Sequence, residues 1–211
     1  MSLTKGLVFS ERPHIGNTAP TTFEDTSRDP VTVTDTAIVY TKEASGIYTS
    51  TYNGSTSLHN LGSPSKLKVA DFTLVVWVNM TSPVGYSQII NTAGSDVTNS
   101  FRMIVNQYTP RLTLGNSVTA INAVCSKHVA LGKWSLLTGT IKGTAMTVFL
   151  NGEADGANIF VGNRQVTTVV TINNMIRQFN GKTGLVRIYN RALSPVEIAD
   201  LFESERHWFG V

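Results

Sequence analysis

The sequence predicts an all-β protein, an antiparallel two-sheet β-sandwich or jelly roll with one short C-terminal helix. Only 15% of its 211 residues are charged, where a typical soluble domain has about 25%. Thr, Ser, Asn and Gly take their place, which disfavours long amphipathic helices and favours strands and turns. About ten short strand-like runs recur at roughly regular spacing, as in sandwiches and jelly rolls. A parallel α/β fold would need alternating helices, and only one segment has clear helical spacing.

The predicted strands are short, and turn formers separate them. The strongest is FTLVVWVN, residues 72–79, which is apolar on both faces and therefore suits a central buried position. Gly143-Thr144 separates strands 134–142 and 145–150 into a hairpin, and Asn151-Gly152 closes the second strand. The remaining expected strands are 4–9, 47–52, 87–91, 101–107, 111–114, 166–172 and 184–189, with a long loop over 10–35 that contains an extended piece at 31–34.

The C-terminal segment carries the signals of a helix start. Ser194 suits the N-cap, Pro195 the first helical position, and Glu197 completes a Ser-x-x-Glu capping box. The helix is expected to end near residue 204. One domain spans 1–211, with its core over about 4–202 and a tail over 203–211. The tail is expected either to dock onto a neighbouring subunit or to fold back onto its own sandwich, through the residues His207, Trp208 and Phe209.

Composition and patterning exclude several classes of function. Seventeen basic and fourteen acidic residues give a net charge of +3, and the bases are scattered, so no nucleic-acid partner is expected. The longest apolar run near the N-terminus is Leu7-Val8-Phe9, too short for a secretion signal, and no run would span a membrane. We therefore expect synthesis in the cytoplasm without a signal peptide and no membrane insertion. The expected destination is a virion, or the extracellular space by another route.

Three blocks of sequence carry a family resemblance. The first is 52–55 (YNGS) followed by Phe72 and Trp77, and the second is Trp134 followed by 148–152 (VFLNG). The third and most specific is FNGKTGLVRIYNRALSPVEIADLF, residues 179–202. Together they resemble the laminin-G-like jelly-roll domain of the concanavalin A-like lectin/glucanase superfamily. The resemblance implies that the first and last strands lie side by side, and we interpret Trp77 and Trp134 as core residues between the sheets.

Glucanases share this superfamily, and a member with that activity would carry a catalytic pair of carboxylates. Retaining glycosidases need two carboxylates about 5 Å apart, and on a strand alternate residues share a face. The one Glu-x-Asp pair, Glu153 and Asp155, follows a turn and is flanked by glycines, so a loop is expected there. The four histidines (14, 59, 128 and 207) lack metal-ligand spacing and are expected on the surface or in loops. No enzyme and no catalytic residue is predicted.

The resemblance also raises the question of calcium, because members of the family often hold Ca²⁺ with Asp, Asn and backbone carbonyls. The acidic pair of the family's last strand is replaced here by Gly184 and Leu185. No cofactor is therefore predicted, and calcium stays open. The remaining candidate ligands are loop aspartates, which are also common turn formers. They are Asp25, Asp29 and Asp96.

A glycan would be expected to bind at the loop rim or on the concave sheet. Sugars stack on aromatic faces and hydrogen-bond to planar polar groups. In the run FRMIVNQY, alternation places residues 102, 104 and 106 on one face. The candidate glycan-binding residues are Tyr86, Arg102, Asn106, Tyr108 and Arg111.

The leading hypothesis is a non-enzymatic structural and binding module on the surface of a phage or virus, in capsid decoration, a fibre or adhesion, with possible glycan binding. The first alternative is a free-standing bacterial carbohydrate-binding module similar to a lectin. A glycoside hydrolase is the least favoured alternative. The expected partners are other structural subunits, cell-surface glycans, or a second copy of the chain in a homo-oligomer.

Overall fold

The computed structural model describes residues 3–11, 14–82, 85–92, 101–163, 169–173 and 177–211. In these ranges the predicted all-β sandwich with a C-terminal helix is confirmed. The strands are β1 (Leu7–Ser10), β2 (His14–Ile15), β3 (Thr34–Thr36), β4 (Val39–Lys42), β5 (Ile47–Asn53), β6 (Leu58–Asn60), β7 (Phe72–Met80), β8 (Tyr86–Thr92), β9 (Arg102–Asn106), β10 (Thr109–Gly115), β11 (Ala120–Val124), β12 (Trp134–Lys142), β13 (Ala145–Leu150), β14 (Glu153–Ile159), β15 (Val170–Ile172) and β16 (Asn180–Tyr189). A short 3-10 helix covers Ser65–Leu67, and helix α1 covers Pro195–Phe209.

These strands form two antiparallel sheets. The first has the order β14-β13-β12-β7-β16-β5-β2, with β1 beside β16 and β4 beside β5. The second has the order β11-β10-β9-β8-β15-β6-β3. The apolar run 72–80 forms β7, between β12 and β16, which confirms its predicted central position. Leu7 of β1 lies opposite Tyr189 of β16, so the first and last strands are neighbours, as the family resemblance implied.

The main hydrophobic core lies between the two sheets. Alternate residues of β7, including Leu74 and Val76, point toward the second sheet and meet Met103 and Leu112 there. All four side chains are fully buried. The intervening residues of β7 point to the opposite face, because successive side chains of a strand alternate.

Helix α1 covers that opposite face of the first sheet. The predicted capping box is present, with the Glu197 amide donating to Ser194 Oγ at 3.3 Å and Ser194 N donating to Glu197 Oε2 at 2.9 Å. The helix continues to Phe209 and ends at Gly210 in the left-handed conformation. The expected helix end near residue 204 was therefore wrong. The last turn is stabilised by burial of Phe209 and by an Arg206–Glu203 ion pair of 2.9 Å.

Trp77 and Trp134 are buried, but not between the sheets, so that interpretation was wrong. Both lie on the outer face of the first sheet in a second hydrophobic cluster beneath α1. The Phe209 ring stacks on Trp77, with centroids 4.3 Å apart, and lies 4.7 Å from Trp134. Trp208 is half-buried and accepts a hydrogen bond at its carbonyl from Ser45 Oγ, while His207 is exposed. Of the two arrangements expected for the tail, the structure shows Phe209 folded back onto its own sandwich.

The sequence missed five strands, β2, β4, β6, β11 and β14. The clearest error is β14, where a loop was expected after Asn151-Gly152. Its glycine, alanine and aspartate are weak strand formers, yet the backbone pairs with β13 from Glu153 to Ile159. At Gly156 a Cβ atom would collide with the Val124 carbonyl, so the glycine allows β11 to approach this edge closely.

Candidate functional site

The outer face of the second sheet brings together several of the residues predicted to bind glycans. Tyr86 of β8 lies directly opposite Asn106 of β9. Arg111 of β10 lies opposite Ile104, which is two residues before Asn106 on β9 and therefore on the same face. These positions point away from the core because their strand neighbours, such as Met103 and Leu112, point into it. Tyr86, Asn106 and Arg111 are half-buried and line the same end of the sheet.

The Tyr86 ring is flanked by two guanidinium groups. The guanidinium carbon of Arg177 lies 4.7 Å from the ring centroid and that of Arg111 lies 6.0 Å away. Cations within about 6 Å of an aromatic ring are attracted to its face. The Nε atom of Arg111 is buried and makes no hydrogen bond. We call Tyr86, Asn106, Arg111 and Arg177 the Tyr86 surface.

Among the described strand positions of β8 to β11, the outward residues include the half-buried Arg111, the buried Arg102, and no aspartate or glutamate. A ligand on this face therefore meets positive charge without a competing carboxylate from these strands. The outward residues are Tyr86, Gln88, Asn91, Arg102, Ile104, Asn106, Thr109, Arg111, Thr113, Gly115, Ala120, Asn122 and Val124.

Two of the predicted glycan residues do not belong to this surface. Arg102 has the predicted face but is only 1% exposed, in the middle of the sheet beside Asn91 and Thr113, which are buried as well. Strand alternation predicts the face on which a residue lies but not whether neighbouring side chains bury it, so the expectation of an accessible Arg102 was wrong. Tyr108 lies in the β9–β10 turn with φ +71° and packs toward the core between the sheets.

The aspartates considered as calcium ligands have other partners. Both carboxylate oxygens of Asp25 accept hydrogen bonds, from the amides of Ser10, Ser27 and Val31, from Ser27 Oγ, and from Lys66 Nζ at 3.2 Å. Burial would raise the pKa of Asp25, but these donors outweigh it and lower the pKa. Asp29 is exposed, and its backbone carbonyl accepts from Lys66. Asp96 lies outside the described residues. Within the described residues, no group of three or more Asp, Glu, His or Cys side chains is placed to hold a metal ion.

The Glu-x-Asp pair of β14 is engaged in exposed contacts. Glu153 pairs with Lys127 Nζ at 2.6 Å. Asp155 accepts from Ser126 Oγ at 2.6 Å and from the Lys127 amide at 2.7 Å. The pair therefore tethers the loop after β11 to β14, in a strand rather than in the predicted loop.

One of the four histidines is not a surface residue, which corrects the prediction for His59. His59 is fully buried on β6, with Nδ1 2.6 Å from Asp35 Oδ1 and Nε2 3.0 Å from Ser50 Oγ. Asp35 also accepts from Tyr40 Oη at 2.6 Å and from the Phe23 amide at 3.0 Å. This group links β4 and β5 of one sheet to β3 and β6 of the other.

The charges in this group follow from burial and hydrogen bonding. Burial lowers the pKa of His59, so that its imidazole is neutral at pH 7. Burial would raise the pKa of Asp35, but the hydrogen bond from His59 and the other donors lower it, so Asp35 is ionised. The order Ser50–His59–Asp35 matches that of a hydrolase triad. However, Ser50 and His59 have no exposed surface, so no substrate carbonyl can reach the Ser50 hydroxyl.

A cleft of about 570 Å³ lies next to this buried group, beside β4 and β5. Tyr40, whose hydroxyl binds Asp35, forms part of its wall. No motif in the sequence pointed to it, because its residues come from the loop over 10–35 and from strands of two to seven residues. The lining residues are Glu11, His14, Ile15, Pro20, Thr21, Thr22, Glu24, Tyr40 and Tyr48.

The family is decided by a sequence comparison. A laminin-G-type family model, described as the concanavalin A-like lectin/glucanases superfamily, matches residues 29–199. The chain belongs to the concanavalin A-like lectin/glucanase superfamily. The family resemblance inferred from residues 52–55, 148–152 and 179–202 is thereby confirmed. No curated protein matches this member of the superfamily significantly.

Solved structures with the same fold include binding domains of botulinum neurotoxins. The receptor-binding domain of the C/D mosaic serotype has a TM-score of 0.79 at 12% identity, over 96% of this chain and 52% of that one. The binding domain of neurotoxin DC in complex with SialylT gives 0.77 at 15%, over 96% and 52%. The same domain with rat synaptotagmin II gives 0.75 at 14%, over 96% and 52%. The superfamily member thus spans about half the length of these structures, which resemble it in fold.

The half-buried Tyr86 ring and the guanidinium groups of Arg111 and Arg177 together offer an aromatic face and positive charge on the outer side of the second sheet. Within the described ranges, no helix is long and apolar enough to cross a membrane.

Proposed function

We propose that the chain is a non-catalytic glycan-binding module that takes a sugar bearing a carboxylate at the Tyr86 surface. The observation that carries the proposal is the Tyr86 ring flanked by Arg177 at 4.7 Å and Arg111 at 6.0 Å. An aromatic ring offers a stacking face to a sugar, and a guanidinium recognises a carboxylate through charge-assisted hydrogen bonds. The Asn106 side chain, opposite Tyr86, can add an amide contact.

Two further observations support this proposal. The outward positions of β8 to β11 in the described chain carry no carboxylate that would repel an anionic sugar. A neurotoxin binding domain with a similar fold was solved in complex with SialylT. The proposed absence of catalysis rests on the tethering role of Glu153 and Asp155 and on the burial of Ser50.

The test is a glycan array that pairs each sialylated glycan with its asialo counterpart, read with and without a calcium chelator. We expect binding to sialylated glycans only, and at least a tenfold loss for Arg111→Ala, because a hydrogen bond to a charged group contributes about 1.5–3 kcal/mol. Arg206→Ala, at an exposed position on α1 on the outer side of the first sheet, is the matched control and should bind as the parent does. Equal binding of neutral and acidic glycans, or an array blank in both conditions, would refute the proposal.

We also propose a setting, the surface of a phage or virus, with a free-standing bacterial carbohydrate-binding module as the alternative. The charge-poor, hydroxyl-rich composition suits a module that meets other proteins or glycans. Mass spectrometry of purified virions checks the first setting, and a gene neighbourhood without virion genes would favour the second.

A further inference from the structure

The cleft beside β4 and β5 is separate from the Tyr86 surface and has a different chemistry. Its aromatic walls come from the first sheet, since Tyr40 and Tyr48 share the inner face of that sheet with Ser50. The His14 ring meets Tyr48 nearly edge-on, with centroids 5.6 Å apart and planes at 68°. His14 is held in place by a 3.0 Å hydrogen bond to the Thr18 carbonyl.

Glu11 is a buried carboxyl at this cleft, and among the described residues it has no counter-ion. Its side chain accepts hydrogen bonds from two backbone amides, Val186 to Oε2 at 3.0 Å and Leu185, and Glu11 is 7% exposed. In the described part of the chain, no Lys, Arg or His lies within ion-pair distance of it. The charge of Arg187 acts on Glu11 from a distance and lowers its pKa, but Arg187 itself binds Glu205 at 2.7 Å.

A second negative group adds to this imbalance. Asp35 is ionised, yet its partners His59, Tyr40 and the Phe23 amide are neutral donors. Burial raises the pKa of Glu11 to about 8, and the charge of Asp35 contributes to this shift. Protonation of Glu11 is how the protein avoids an unpaired buried charge here, and a bound cation would achieve the same.

We propose that this cleft binds a primary ammonium group, which pairs with the Glu11 carboxylate while the ligand's alkyl chain packs against Tyr40 and Tyr48. Tyrosine rings attract ammonium groups through their negative faces, and a hydrogen-bonded ion pair gains strength in a partly dry cleft. An anionic ligand would be repelled by the ionised Asp35, and a neutral one would leave Glu11 protonated and gain no ion pair. The amine therefore fits best.

Other titratable groups lie near Glu11 and set the background against which the amine binds. Lys42 Nζ is 5.8 Å from the Tyr48 centroid, so the chain already presents one ammonium to that ring. Asp25 pairs by its backbone with Glu11 but has its own donors. Among the described residues, the titratable groups that line the cleft with Glu11 or interact with it are His14, Glu24, Asp25, Asp35, Tyr40, Tyr48, Tyr52 and Arg187.

The test is a titration of the full ¹⁵N-labelled chain at pH 7.5 with n-butylammonium chloride and, separately, with the neutral isostere 1-butanol. We expect saturable amide shifts centred on Glu11, His14, Tyr40 and Tyr48, with the amine binding at least tenfold more tightly than the alcohol. Glu11→Gln, which keeps the shape and removes the charge, should weaken amine binding at least tenfold. Tyr48→Ala should weaken binding as well.

Glu203→Gln, an acidic residue exposed on α1, is the matched control and should leave amine binding unchanged. Nα-acetyl-L-lysine methylamide is the third probe. If it binds like butylammonium, the ligand is a lysine side chain of a partner, and if it is excluded, the ligand is a free small amine. Equal affinity for amine and alcohol, shifts confined to other regions, or full affinity in a folded Glu11→Gln variant would overturn the proposal.

Discussion

Two buried glutamates at opposite sides of the first sheet are treated differently by this fold. Glu205 on α1 is 5% exposed, binds Arg187 at 2.7 Å, and accepts from Trp77 Nε1 at 2.8 Å. Glu11 at the cleft is 7% exposed and has only backbone amides, those of Val186 and Leu185, as donors and no cation among the described residues. The same side chain at similar burial thus has a full set of partners in one place and an incomplete set in the other.

The difference indicates which region serves stability and which is suited to a ligand. Beneath α1, Trp77, Trp134 and Phe209 exclude water, and the ion pair completes an interface that is closed. At the cleft, the buried polar group of Asp35, His59 and Ser50 borders a cavity of about 570 Å³. A buried ionisable group with a displaced pKa in a cleft is a physical sign of a functional site, whereas a paired one beneath a helix is not.

The largest effect is expected from breaking the paired region. Glu205→Ala removes the counter-ion of Arg187 and the acceptor of Trp77, and leaves a guanidinium whose side chain is 13% exposed. Loss of one partner of a buried ion pair costs about 3–5 kcal/mol. Urea unfolding monitored by tryptophan fluorescence measures this loss. If the variant loses less than about 1 kcal/mol, the distinction between the two glutamates fails.

The second prediction concerns the unpaired carboxyl and pH. The pKa of Glu11 rises from an ordinary 4.5 to about 8 in the folded chain, so its contribution to stability is complete below pH 4.5 and is lost as the pH rises through 8. Between pH 5 and 7 this contribution should fall by about 3 kcal/mol, since one proton corresponds to about 1.4 kcal/mol per pH unit.

Other groups also titrate in this range, His59 among them, so the measurement compares the parent with Glu11→Gln. The variant lacks the titrating carboxyl, and the difference between the two unfolding free energies should therefore change with pH by that amount. A difference that stays constant from pH 5 to 8 would show that Glu11 ionises normally.

Much of the fold could be predicted from the sequence because the relevant signals are local. The run 72–79, the hairpin around Gly143-Thr144 and the capping box at Ser194 each depend on a few consecutive residues, and each is confirmed. Strand β14 could not be predicted, because its weak strand formers are held by pairing with β13. The face of the sheet on which Trp77 packs could not be predicted either, because it depends on where helix α1 lies.

The candidate sites depended even more on contacts between distant residues. Tyr86, Asn106 and Arg111 were predicted because aromatic, amide and arginine side chains on strands suggest a binding face, and they share one face, yet the same reasoning included the buried Arg102. The cleft was missed entirely. Asp35 and His59 are 24 residues apart on three-residue strands, so no spacing rule could reveal that they meet.

The smallest effect is expected at the buried hydroxyl that gives this region the connectivity of a triad. Ser50→Ala removes the hydrogen-bond partner of His59 Nε2, and one such bond contributes about 1 kcal/mol to stability. We expect a loss of that size in urea unfolding. The loss is smaller than for Glu205→Ala because a neutral imidazole loses one hydrogen bond, whereas a guanidinium loses a counter-charge.

The parent chain should not react with a fluorophosphonate probe, because Ser50 Oγ is sealed from solvent. Labelling of the parent that disappears in Ser50→Ala would instead make this end of the sandwich a hydrolytic site. Such a result would extend the comparison, since the region with incomplete pairing would then carry catalysis as well as binding.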